Sequence, residues 1–211
     1  MKYKCIIFDC DGVLVDSESI SSQIIVDLAN DLGANINLEY ALNNYIGTSL
    51  EFVTNDIQSR IQSSVPKSFV ENYRIKSYEA FKNELQPIKG IRKLLKSLTI
   101  PICVASNGPL DKMKLNLKVT KLIDYFNDNL FSAYEIGFWK PDPALFLHAA
   151  DKMGIQPHEC AVIEDSISGI KAAKSGGFDV YGFAKGKHKK PFKNEGATVF
   201  EAMSDLPYLL R

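Results

Sequence analysis

The sequence predicts an α/β fold, a parallel sheet with helices on both faces, interrupted near its start by an all-helical insertion. Three observations predict it. The first apolar run, Cys5–Phe8, reads as a short buried strand that stops in two carboxylates one residue apart, Asp9 and Asp11, followed by Gly12. Residues 16–85 then carry only helix-period patterns. From Pro87 to residue 183 strands alternate with helices, as in units whose strands pair in parallel and are covered on both faces. The expected division is a core of residues 1–15 and 86–211 and a helical domain of residues 16–85.

In chain order, Ser17 and Ser19 offer N-caps to a helix with Ile20, Ile24, Leu28 and Leu32 at helical spacing, ending near Gly33. Further helical patterns cover residues 38–45, 50–61 and 69–81, with breaks at Gly47 and Pro66. In the core, a helix over 91–98 precedes a buried strand over 100–105, a helix over 110–117 and a short strand over 129–132. Asp142 and Pro143 read as N-cap and first turn of a helix to Met153. A strand over 160–163, a helix Ile167–Ser175 closed by Gly176 and Gly177, and a strand over 180–183 complete the pattern. The one basic cluster, residues 185–193, reads as a solvated loop on the rim that carries the other strand ends.

Composition narrows the function. The chain has 211 residues, enough for a full core, and 45% hydrophobic with 24% charged residues describes an ordinary globular protein. Its 25 basic and 25 acidic side chains cancel, so no global field favours nucleic acid or an anionic membrane, and anion recognition must be local. The short apolar stretch before Asp9 is no secretory signal and no apolar run spans a bilayer, which points to the cytoplasm. Cys5, Cys10, Cys103 and Cys160 lack metal-ligand spacing and read as small buried hydrophobes, and His148, His158 and His188 form no recognisable constellation. Oligomeric state leaves no mark in the sequence, and a monomer fits it.

In an open parallel sheet, ligands bind outside the carboxyl ends of the strands. Here one predicted strand ends in Asp9 and Asp11, another in Ser106-Asn107-Gly108, and a third in Glu164-Asp165. Asp9, Asp11, Glu164 and Asp165 supply the hard oxygen ligands that Mg²⁺ requires, and without a cation they would repel one another. Lys140, in Trp139-Lys140-Pro141-Asp142-Pro143, can screen these acids and an incoming phosphoryl group. Ser106 and the backbone amides of Asn107 and Gly108 can donate to phosphate oxygens.

The stretch from Phe8 to Glu18, Ser106-Asn107-Gly108, Lys140-Pro141-Asp142-Pro143 and Glu164-Asp165-Ser166 resemble, in this order, the four motifs of the haloacid dehalogenase superfamily. The resemblance extends to the beta-phosphoglucomutase-like subgroup, whose helical cap is inserted just after the first motif, and it runs from about residue 5 to residue 183. It implies a Rossmann-like core with an inserted α-helical cap and an Mg²⁺-dependent phosphatase for a small phosphorylated metabolite. A sugar phosphate, or a sugar-acid phosphate such as 6-phosphogluconate, is the substrate class it suggests. Asp9 would be the nucleophile forming an aspartyl-phosphate, and Asp11 the general acid and base. Lys140 and Ser106 would fix the phosphoryl group. The metal would lie on Asp9, the Asp11 carbonyl, Asp165 and Glu164.

Within the superfamily, a dehalogenase attacks carbon and has no use for Asp11 or the Glu164-Asp165 pair. A phosphomutase would call for a histidine where Ser21 stands and an arginine where Leu50 stands, so hydrolysis is the better reading. Arg74 and Lys76 then become the candidate cap cations for an anionic substrate tail. From another class, a phosphorylatable receiver module also uses acids and a lysine, but its phosphorylated Asp follows a later strand and it has no helical insertion.

Overall fold

Cys5–Phe8 is buried at every residue and forms the first strand, β1. The computed structural model describes residues 2–46, 48–184 and 189–211. The chain leaves the sheet after Val15 and divides into two compact units, Met1–Val15 with Gln86–Arg211 and, between them in sequence, Asp16–Leu85.

The Asp16–Leu85 unit contains α1 (Glu18–Asp31), α2 (Leu38–Asn44), α3 (Leu50–Arg60) and α4 (Phe69–Glu84). Asn37 and Ser49 cap α2 and α3 by accepting from Tyr40 N–H and Phe52 N–H. The core-facing side of α1 differs from the expected one: Ile25, Val26 and Ala29 are buried, while Leu28 and Leu32 pack at the edge. The reason is that α1 packs against both α2 and α4, so its apolar stripe is wider than one i,i+4 ladder. A polar tie joins α2 to α3. Asp56 accepts from Tyr45 Oη at 2.6 Å, Tyr40 Oη at 3.2 Å and Arg60 Nε at 2.9 Å, and the Arg60 guanidinium stacks 4.3 Å from the Tyr40 ring centre.

In the other unit follow α5 (Ile91–Ser97), β2 (Ile102–Ser106), α6 (Leu110–Val119) and β3 (Leu130–Ser132). Then come α7 (Ala133–Ile136), α8 (Ala144–Met153), β4 (Cys160–Glu164), α9 (Ile167–Ser175) and β5 (Asp179–Phe183). The chain closes with α10 (Lys189–Asn194), β6 (Thr198–Phe200) and α11 (Leu206–Leu209). The strands pair in parallel throughout, in the order β3-β2-β1-β4-β5-β6, with Phe8 opposite both Val104 and Ile163. This is the doubly wound order, whose switch point lies beside the central strand. Ile7, Cys103, Val162, Leu145, Phe146, Ile170 and Ala173 share one core cluster.

Some elements were not foreseen. α7 and β6 are four and three residues long, too short for a periodic signal, and the basic stretch expected as a loop is helical from Lys189 to Asn194. Residues 185–188, including His188, lie outside the described residues. All four cysteines are free and buried, as expected of small hydrophobes. Among the described residues, no helix is long and apolar enough to cross a membrane.

The Asp56 tie yields a pH prediction. The Arg60 hydrogen bond, helped by those from Tyr45 and Tyr40, outweighs burial and holds the Asp56 carboxyl below its ordinary value. A carboxyl depressed in the folded state contributes stability above its unfolded pKa and loses it as pH falls through the folded value. Asp56→Asn should therefore lower unfolding free energy by about 1–3 kcal/mol near neutrality, and the gap from wild type should shrink below about pH 4. Urea denaturation of the intact chain at the two pH values measures both.

Candidate active site

Burying a charge is tolerated when every donor and acceptor finds a partner. Lys140 meets that condition just past the carboxyl end of β1. Its ammonium donates to Asp9 Oδ1 at 2.6 Å, to Glu164 Oε1 at 2.6 Å and to the Ala105 carbonyl at 2.9 Å, which uses all three N–H bonds. Lys140, Asp9 and Glu164 are 6%, 8% and 1% exposed, so water screens this group little. Burial opposes the charge on Lys140, yet Asp9 and Glu164 more than offset it and hold the ammonium above its ordinary range. Asp9 is pushed up to about 7, first by burial and then by Glu164, against the pull of Lys140.

Each member is placed by backbone geometry. Asp9 follows β1, and its N–H continues the ladder to the Ile163 carbonyl at 2.9 Å. Glu164 ends β4 and turns its second oxygen back on its own loop, accepting from Asp165 N–H, Ser166 N–H and Ser166 Oγ, each at 2.9 Å. Ser166 in turn caps α9 by accepting from Gly169 N–H at 3.0 Å. Lys140 arrives on the segment between α7 and α8, and Asn107 brackets its backbone: Asn107 Oδ1 accepts from Lys140 N–H at 2.9 Å and Nδ2 donates to the Lys140 carbonyl at 3.4 Å. Helix α8 starts two residues later than Asp142, with Pro143 in the N-cap position, and Asp142 still accepts the Ala144 N–H at 2.8 Å.

The Ser106-Asn107-Gly108 loop lies on the same rim. Ser106 is 3% exposed, and its oxygen accepts from Gly108 N–H at 3.0 Å, which leaves the hydroxyl hydrogen for another acceptor. Ser132 Oγ, at the end of β3, donates to the Gly108 carbonyl at 2.7 Å and braces the loop. A methyl group placed on Gly108 would lie 3.4 Å from Ser106 Oγ and 3.7 Å from Asp11 Oδ2, so the Asp11 carboxylate stands directly beside this loop. Asp11 is held from α6: Lys112 Nζ donates to Oδ2 at 2.8 Å and Asn116 Nδ2 to Oδ1 at 3.3 Å. Neither Lys112 nor Asn116 was among the sequence candidates. The available signal was a polar Asn116 on the apolar stripe formed by Met113 and Leu117.

The expected metal ligands are Asp9, the Asp11 carbonyl, Asp165 and Glu164. Among the described residues, no group of three or more histidine, cysteine or acidic side chains is arranged to hold a metal. The Asp11 carboxylate turns to α6 and the Glu164 carboxylate is filled by Lys140 and its own loop. Asp165 behaves differently: a Cβ at Gly12, whose φ is +80°, would stand 1.8 Å from Asp165 Oδ2, so the missing side chain makes room for that carboxylate beside the Asp9–Gly12 turn. Carboxylate and carbonyl oxygens of the kind that Asp9, Asp165 and the Asp11 backbone carry are the ligands a hard divalent cation takes. The remaining candidates, Arg74 and Lys76, are exposed on α4 in the other unit, and their spacing of two turns them toward different faces.

Comparison with known proteins shows the family. A haloacid dehalogenase-like hydrolase family model matches residues 3–177. The chain is 35% identical over 209 residues to 6-phosphogluconate phosphatase of Escherichia coli (strain K12), covering 99% of this chain and 95% of that protein. It is 29% identical over 174 residues to hexitol phosphatase B of the same organism, covering 80% and 78%. The crystal structure of a conserved haloacid dehalogenase-like protein of unknown function from Agrobacterium tumefaciens str. C58 superimposes with a TM-score of 0.89 at 30% identity, covering 99% of this chain and 97% of that one.

The packing of Gly169 gives a prediction of opposite sign to helix propensity. Alanine in place of glycine within a helix ordinarily adds about 1 kcal/mol. Here the added Cβ would lie 1.9 Å from Glu164 Cδ and must displace that carboxylate from Lys140. Gly169→Ala should therefore lower the melting temperature, measured by differential scanning calorimetry, where a neutral or raised value would contradict the packing described.

Proposed function

The chain belongs to the haloacid dehalogenase-like hydrolase family, and from that membership and the rim geometry we propose that it is an Mg²⁺-dependent phosphatase acting on a small phosphorylated sugar or sugar acid. The observation that carries the reading is the buried Lys140 ammonium shared by Asp9 and Glu164 at the switch point of the sheet. Such a group adds little net stability compared with apolar packing, and its worth lies in the chemistry it holds ready.

In this reading Asp9 attacks phosphorus through a carboxylate oxygen. As the bond to the bridging oxygen breaks, the Asp11 carboxylic proton passes to the departing alkoxide, and the alcohol leaves. The Asp11 carboxylate, now a base, takes a proton from water, whose oxygen attacks the aspartyl-phosphate; inorganic phosphate leaves and Asp9 is restored. Ser106 donates its hydroxyl hydrogen to a phosphoryl oxygen. Lys140 opposes the charge of the reacting group and keeps Asp9 oriented. Glu164 acts by positioning Lys140, since its oxygens are already engaged. Asp9, Asp165 and the Asp11 carbonyl would hold the Mg²⁺, which when bound neutralises phosphoryl oxygens. As the helical insertion that follows the first motif, the Asp16–Leu85 unit is the part we assign to selecting the organic group of the substrate.

The sugar-acid reading draws on similarity to the E. coli 6-phosphogluconate phosphatase, and the broader sugar class on hexitol phosphatase B. Phosphate release should be measured across phosphorylated sugars, sugar acids, nucleotides and phosphoglycolate with Mg²⁺ present. The expected outcome is repeated turnover with preference for sugar or sugar-acid phosphates, abolished by chelation and restored by Mg²⁺. Asp9→Asn should keep the fold and lose turnover by about 10³-fold or more, because the isosteric amide is a poor nucleophile. Retained Mg²⁺-dependent release by that variant would remove Asp9 from the role.

A further inference from the structure

Asp11 sits on a turn whose next residue, Gly12, has a φ of +80°, and about a quarter of its side chain, 27%, faces solvent. A carboxylate in such a position can rotate, yet proton transfer requires it within about 2.6–3.2 Å of the bridging oxygen. Helix α6 supplies two donors. Lys112 and Asn116 lie one helical turn apart on the same face, and each takes a different oxygen of Asp11, at 2.8 Å and 3.3 Å. Two donors from one rigid element fix both the position and the plane of the carboxylate.

Asn116 is an expensive way to fill its site. It is fully buried between Met113 and Leu117, and its Oδ1 has no hydrogen-bond partner. A buried orphan carbonyl is a penalty that a leucine of similar volume would avoid. Core packing therefore gives no reason for an asparagine here, whereas its contact with Asp11 does. We infer that Lys112 and Asn116 are positioning residues that hold the Asp11 side chain beside the Ser106-Asn107-Gly108 loop, so that its carboxylic form can give its proton to the leaving group and its carboxylate can take one back from water. The inference rests on Asp11 being the acid and base of the proposed phosphatase.

The test compares an alkyl phosphate, 6-phosphogluconate or glucose 6-phosphate, with p-nitrophenyl phosphate, whose leaving group needs little protonation. Lys112→Met should lower kcat on the alkyl ester about 10- to 100-fold with KM within about twofold, and lower kcat on the aryl ester less than about threefold. Lys112→Arg should recover most of the loss. Asn116→Leu should melt at or above the wild-type temperature while losing kcat on the alkyl ester. Equal losses on both esters, a change confined to KM, or no loss in Lys112→Met would overturn the inference, and a lowered melting temperature in Asn116→Leu would return that residue to the core. Wild-type protein that releases phosphate from neither ester would remove the phosphatase reading, and the positioning role with it.

Discussion

The ammonium of Lys140 is the one interaction on which the rest of the site depends. Its three N–H bonds reach a carboxylate after β1, a carboxylate at the end of β4 and a carbonyl of β2. Three neighbouring strands are thereby tied at one rim by a single side chain delivered from the loop before α8. Desolvating this group is costly, and the two charge-assisted contacts offset that cost only because no donor is left over. Truncating either acid so that no acceptor oxygen remains would strand a buried charge, whereas an isosteric amide keeps an oxygen for the ammonium.

The fold puts this group where it is useful. With β1 central and β2 and β4 on either side, the crevice at the switch point opens beside the residue that follows β1. Close approaches then set the fine geometry. The bare backbone of Gly12 admits the Asp165 carboxylate, and that of Gly169 admits the Glu164 carboxylate. Each glycine stands where a side chain would displace an acid. Asn107, expected to face phosphate through its backbone, also uses its side chain to fix the backbone of Lys140, and so links the second motif to the third.

Much of this was legible in the sequence because it is written in short-range patterns. The strand Cys5–Phe8 and the helix Ile167–Ser175 coincide with their expected bounds, since an unbroken apolar run and a helix bounded by Ser166 and Gly176 carry their own ends. The family resemblance was legible for the same reason, as four ordered motifs. What escaped depends on partners far away in sequence. The inward face of α1 is set by α2 and α4, β6 is a three-residue strand that exists by pairing with β5, and Asn116 meets Asp11 across 105 positions. The direction of a carboxylate is likewise a tertiary property: that of Asp11 meets Lys112 and Asn116 of α6, and that of Glu164 meets Lys140.

The central claim, that the Asp9 carboxylate held by Lys140 is the group that accepts phosphorus, is most directly tested by trapping. The protein is mixed with a hydrolysed sugar phosphate and Mg²⁺, quenched in acid during turnover, reduced with borohydride and digested for mass spectrometry. The account predicts that the acyl phosphate is reduced to homoserine at position 9 and at no other acidic residue. Conversion at another aspartate, or none at any residue under conditions of sustained turnover, would contradict it.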